Sequence, residues 1–199
     1  HRLPRAAALL VVGMVTLTAC AGTTPAAPLD LPTTDGVVIV TNARANVPMP
    51  TLSPANAELI NQILRHGLPL MVVSADGTPE LVPIPIPEVK GNNEHAYDKS
   101  LGHALRTVRQ AITPFPNSDG ADAYGAMAVA RDAAQARGHK RPTIICLQCG
   151  LDTSGALAMT ADNAVRAEPQ DFVDHLTATK QLVRFDAFEE ATVVLTSLG

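Results

Sequence analysis

The stretch GVVIVTNA, residues 36–43, sets the reading of the whole chain. Its run from Val37 to Thr41 is continuous in β-branched residues and does not alternate with polar ones. A half-buried strand alternates, whereas a short continuous apolar run between turn formers reads as a strand buried on both faces. Such a strand belongs inside a sheet with helices above and below it. The rest of the chain must then supply those helices and further strands of the same kind.

It does so in order. "ARANVPMPTL" (43–52) reads as a loop, and Ser53-Pro54 opens a helix, Ser as cap and Pro in the first turn. Leu59, Ile60, Ile63 and Leu64 form its apolar stripe, and His66-Gly67 closes it. "LPLMVVSADG" (68–77) is a second central strand and a turn. "TPELVPIPIPEV" (78–89) has too many prolines to donate to a ladder, so it is an edge strand or an extended excursion. A helix runs from Tyr97 to Ile112 with Leu101, Leu105, Val108 and Ile112 on one side, and "TPFPNSDG" (113–120) breaks the chain. Ala121 to Arg137 form an Ala-rich helix, ended by Gly138, whose small face suits a close approach to a sheet. Thr143 to Leu147 is another strand, and Pro169 opens a helix with Phe172, Val173 and Leu176. "ATVVLTSLG" (191–199) is a last strand, central in character. The alternation predicts an α/β fold: a three-layer, Rossmann-like, mainly parallel sheet with helices on both faces.

Composition agrees. Of 199 residues, 46% are hydrophobic but only 3% aromatic, with no Trp, so aliphatic side chains fill the core. The net charge of -4 and the lack of a basic stripe argue against a nucleic-acid partner. A first residue of His rather than Met reads as a chain lacking its start, and the strand running to Gly199 as one with more sequence beyond it.

The amino-terminal segment reads as an address. Arg2 and Arg5 precede an apolar stretch from Ala6 to Ala19, too short for a comfortable bilayer span, with small residues near its end. Leu17-Thr18-Ala19-Cys20 resembles the lipobox of bacterial lipoproteins, in which the cysteine follows the cleavage point and carries lipid. The expectation is a signal peptide over 1–19, a small, polar, proline-rich tether over 20–34 and a folded domain over 35–199. Lipid on Cys20 would hold the protein on the membrane surface, at the outer face of the cell membrane or in an outer membrane.

Candidate chemistry lies in loops at the strand ends. Ligands of open α/β sheets bind beyond the carboxyl ends of the strands, where Asn42, Arg44, Asp76 and Asp122 could meet. The plainer reading is that turn aspartates cap backbone and helix ends. His95, His103, His139 and His175 are scattered without ligand spacing, and Ser154 lacks a nucleophile elbow. "GADAYGA" has no phosphate-loop lysine. No catalytic set, cofactor or metal site emerges.

Cys146 and Cys149 form a C-x-x-C pair in "TIICLQCGLDTSG" (143–155). Zinc needs about four ligands, and only these two thiols are near one another. A thioredoxin-like centre places its reactive cysteine at a helix start, whereas Cys146 is read here inside a strand. A short structural disulfide and two buried or free thiols remain as alternatives, with redox chemistry as the third.

From Val37 to Gly199 the chain resembles a von Willebrand factor A-like domain. More narrowly, it is similar to the amino-terminal region of actinobacterial lipoproteins that end in an OmpA-like, peptidoglycan-associated domain. The features are "VVIVTNARANVP", "GADAYGAMAVARDAA", "GLDTSG" and "TVVLTSLG". The OmpA-like domain itself is absent from this sequence. The resemblance implies a divalent cation at the strand tips, held by Asp-x-Ser-x-Ser. This chain has Asn42-Ala43-Arg44-Ala45-Asn46 there, and a cationic Arg44 would repel the ion. The expected function is therefore a non-enzymatic, surface-tethered envelope module that meets the cell wall or an envelope protein. The alternative is a small-ligand or cation-binding domain using the crevice, and a weaker one is a thiol oxidoreductase.

Overall fold

A computed structural model describes residues 33–42, 52–113, 118–147, 153–158 and 168–196. The opening stretch forms β1 (Gly36–Thr41), the middle strand of a five-stranded sheet. The strands are completed by β2 (Leu70–Ser74), β3 (Glu80–Leu81), β4 (Pro142–Leu147) and β5 (Thr192–Thr196), in the spatial order β3-β2-β1-β4-β5. β1 runs parallel to β2 and β4, and β4 parallel to β5, while β2 and β3 pair antiparallel. The helices are α1 (Pro54–Arg65), α2 (Glu94–Ile112), α3 (Ala123–Ala136) and α4 (Pro169–Ala178).

The period-two geometry of a strand explains why β1 is apolar throughout. Val37 and Ile39 face one side, where they pack with Val72, Ile145 and Leu147 against Ile60, Ile63, Leu101 and Val108 of α1 and α2. Val38 and Val40 face the other, where they pack with Val73, Ile144 and Cys146 under Ala126, Ala130 and Ala134 of α3. Helices thus cover both faces, and the three-layer α/β architecture is as the strand pattern requires. The small alanine face of α3 is what lets it lie directly on the sheet. α1 begins where its sequence signals place it. Ser53 Oγ accepts the Asn56 N–H at 3.2 Å, and Pro54 occupies the first turn. Past its end Gly67 takes φ 66°, a left-handed conformation that favours glycine.

Four elements differ from or refine the sequence expectation. α2 starts at Glu94 rather than Tyr97 because Asn93 caps it, its side chain accepting the Ala96 N–H at 2.9 Å. That first turn is exposed and carries no apolar stripe, so periodicity misses it. α3 starts at Ala123 rather than Ala121, because Ala121 bridges to Asp76 and Asp122 is the cap. The proline-rich stretch takes both roles offered to it: the two-residue edge strand β3, then an extended run whose Val82, Ile84 and Ile86 pack on the core. β5, central in character by sequence, lies at the edge of the described sheet, with Val193 38% and Leu195 71% exposed. β-branching reports fit to a pleated surface and does not say how many neighbours a strand has.

Candidate functional site

The carboxyl ends of β1 and β2 meet the start of α3 at one rim of the sheet. Thr41, the last residue of β1, donates its hydroxyl to the Ile112 carbonyl at the end of α2, at 2.8 Å in a buried setting. Its own carbonyl accepts the Ala75 N–H at 2.8 Å, which carries the β1–β2 ladder one residue further. The chain beyond β2 then pairs with the segment before α3. Asp122 N–H donates to the Ala75 carbonyl at 2.9 Å, and Gly77 N–H to the Gly120 carbonyl at 3.0 Å, on either side of the Asp76–Ala121 bridge.

Asp76 and Asp122 therefore do come together, one on each side of this short pairing, and Asn42 follows β1 beside Ala75. Arg44, the fourth residue of the expected crevice, lies outside the described residues, as do Cys20 and Cys149.

The two carboxylates are engaged by backbone. Asp76 Oδ1 accepts the Ser118 N–H at 3.0 Å and so ties the turn after β2 to the turn before α3. Asp122 Oδ1 accepts the Gly125 N–H at 2.7 Å, a charge-assisted cap that satisfies one of the orphan donors of the first helical turn. The negative charge also sits at the positive end of the α3 dipole. The plainer reading of the turn aspartates describes both.

A third strand of chain locks this corner, and sequence reasoning missed it. Thr153 and Ser154 both donate N–H groups to the Ala121 carbonyl, at 2.9 and 3.0 Å, and Thr153 Oγ1 accepts the Ala121 N–H at 2.9 Å. Gly155, at φ 77°, then passes over the Asp122 carboxylate so closely that a Cβ there would stand 2.2 Å from its Cγ. The segments Ala121–Gly125 and Thr153–Gly155 are thus two halves of one clasp. The signal in the sequence was an Asp three residues before a Gly at a helix start, matched by a small-residue loop after β4. Neither half declares its partner 32 residues away.

Among the described residues, two side-chain oxygens at this end are buried without a hydrogen-bond partner, Asn42 Oδ1 and Ser154 Oγ. Among the described residues no three His, Cys, Asp or Glu side chains group as a metal ion would need. Cys146 is 1% exposed within β4, between Val40 of β1 and Leu195 of β5. At that position it is out of reach of a substrate disulfide, which bears on the oxidoreductase reading. Whether it bonds Cys149 falls outside the described residues.

At the opposite end of the sheet Asp35 holds the turn that leads into β4, its carboxylate accepting the N–H groups of Lys140 and Arg141 at 2.6 and 3.1 Å. His139 stands beside it, with Nδ1 3.7 Å from Asp35 Oδ1 and the ring against Gly36, where a Cβ would be 2.4 Å away. This histidine packs as part of the scaffold, whereas His66 is exposed and caps α1 through its backbone N–H.

No protein-family model matches the chain, and no curated protein matches it. The architecture therefore rests on the sheet order and packing above.

Proposed function

We propose that this chain is a non-enzymatic cell-envelope module. On this reading an α/β domain of von Willebrand A-like form is tethered through lipid on Cys20 and presents its surface to the cell wall or an envelope protein. The observation that carries it is the use of the rim carboxylates. Asp76 and Asp122 each accept a backbone N–H, so the acids best placed for ligand or base chemistry serve as fasteners. The basic, apolar and Leu-Thr-Ala-Cys order of residues 2–20 supports the tether. No described helix is long and apolar enough to cross a membrane.

The test is metabolic labelling of the full chain with a clickable palmitate analogue in a bacterial host. Wild-type chain takes up label and fractionates with membranes; Cys20→Ala loses both. Label that survives the substitution would remove the lipoprotein reading.

A second reading, a small-ligand or cation site at the strand tips, is favoured by the buried Asn42 Oδ1, which no hydrogen bond among the described residues satisfies. Leaving such an acceptor unmade costs about 1–3 kcal/mol, and a ligand donor or a cation would recover it.

A further inference from the structure

α1 and α2 lie side by side on one face of the sheet and run in opposite directions. Tyr97 Oη, near the start of α2, donates to the Arg65 carbonyl at the end of α1, at 3.4 Å. Toward that end the core holds Ile63 and Leu64 of α1 and Leu101 of α2, all buried. Toward the other end α1 carries Ala57, three residues before Ile60 and seven before Leu64 on the same stripe. A methyl group there does not fill the space between two helices. A cleft of about 320 Å³ opens at this place, with Leu52, Ala57 and Ile60 on one side and Leu105 and Val108 on the other.

The lip of the cleft is cationic. Arg106 and Arg109 line it, and both are exposed. They are three residues apart on α2, which makes them neighbours on one face of the helix. Among the described residues no ion pair uses either guanidinium. Glu58 also lines the cleft, and its carboxylate already accepts from Asn61 Nδ2 at 3.4 Å and from Gln62 Nε2 at 3.1 Å. Two arginines against one engaged acid leave the mouth positive above an apolar interior.

Apolar walls with a few polar groups at one end are how small-molecule sites fix orientation, and this volume falls in their range of about 300–1,000 Å³. The matching ligand has an apolar chain and one anionic end. A guanidinium fork suits a planar carboxylate, which it can hold through two parallel hydrogen bonds. Size sets the chain: a methylene takes about the 30 Å³ of a water molecule, so about ten fit. That is one short chain and not the two of a bilayer lipid.

We propose that this cleft binds a single-chain carboxylate amphiphile, a fatty acid of about ten carbons, with its chain between α1 and α2 and its carboxylate on Arg106 and Arg109. The site shares no residue with Asn42, Asp76 and Asp122 at the strand-tip rim, and it does not depend on the envelope reading.

The test is photo-crosslinking of the full chain in membranes of a bacterial host, with no detergent present to compete. The probe is decanoate carrying a diazirine near its methyl end, and peptide mass spectrometry locates the label. Label is expected within residues 52–61 and 105–109, displaced by excess decanoate but not by decanol. Arg106→Gln with Arg109→Gln is expected to lower it about tenfold, the worth of a charge-assisted hydrogen bond. Arg106→Lys with Arg109→Lys is expected to keep most of it. Ala57→Leu fills the cleft and is expected to abolish it. The arginine variants alter exposed side chains, so they decide the matter even where Ala57→Leu fails to fold. Label scattered over the chain overturns the proposal, as does label that decanol displaces equally or that survives loss of both arginines. A diazirine-bearing phosphatidylglycerol that labels the same residues as strongly overturns it too.

Discussion

At the scale of single residues, Asp122 shows how a carboxylate in an inviting place is spent. Its oxygen caps α3 through Gly125, and Gly155 lies over it without room for a side chain. Asp122→Ala should cost about 1 kcal/mol, the usual worth of an N-cap, measured by urea denaturation. Asp122→Asn keeps an acceptor and should cost less. Gly155→Ala should cost about 1–3 kcal/mol from left-handed strain alone, with the clash against Asp122 in addition. In an Asp122→Ala background the clash is gone, so the same Gly155 change should cost less than it does in wild type. Strict additivity in that double-mutant cycle would mean that the two residues do not touch. Asp35 makes a parallel case: two backbone N–H groups of the α3–β4 turn depend on it, at 2.6 and 3.1 Å. At the exposed surface, Lys90 pairs with Glu88 and holds its carboxyl below the ordinary value. A depressed carboxyl favours the folded chain above the unfolded pKa, and that contribution is lost as pH falls through the folded one. The pair is fully solvated, so no share of stability is assigned to it.

Among the elements, α3 and α4 are held in opposite ways. α3 lays Ala126, Ala130 and Ala134 on three strands, all with no exposure. A larger side chain there has nowhere to go, so Ala130→Leu should cost about 1–3 kcal/mol by overpacking. The exposed Gln135→Ala on the same helix should change stability by no more than about 0.5 kcal/mol. Equal effects at the two positions would contradict the close approach of α3 to the sheet. α4 is anchored by Leu176, its one buried residue, and by a capping box between Glu168 and Asp171. Further hold comes from the segment that follows, where Tyr124 Oη donates to the Gln181 carbonyl and accepts the Val183 N–H at 2.7 Å. With so little apolar surface buried, α4 should open locally before the rest. Amide hydrogen exchange should therefore find α4 less protected than α1, α2 and α3.

For the whole molecule, the two readings of the strand-tip rim part company in a melting experiment. If the rim is a fastened corner, millimolar magnesium, calcium or manganese should leave the melting temperature unchanged. A cation at a hundred times its dissociation constant adds about 2.7 kcal/mol to the folded state, which a thermal melt would register as a clear rise. Such a rise, lost on Asn42→Ala, would displace the interaction-module reading in favour of the crevice.

The fold was legible because its evidence is local. The unbroken β-branched run from Val37 to Thr41, the Ser53-Pro54 start and the Ala-rich run before Gly138 each declare an element through neighbours within a few residues. Burial on both faces of β1 follows from that run. The polar starts of α2 and α3 were less legible, because caps depend on side-chain hydrogen bonds and leave no periodic trace. Asn42, Asp76 and Asp122 could be placed at one rim from strand order, since parallel strands put their carboxyl ends together. That turn aspartates cap backbone groups was legible as the plainer reading, but that Asp76 holds Ser118 and that Gly155 covers Asp122 was not, because those partners arrive from elsewhere in the chain. The sequence by itself determined which segments are strands and helices, through side-chain periodicity and backbone preference. Tertiary structure decided which polar groups were already satisfied, because that depends on contacts between residues far apart in the chain.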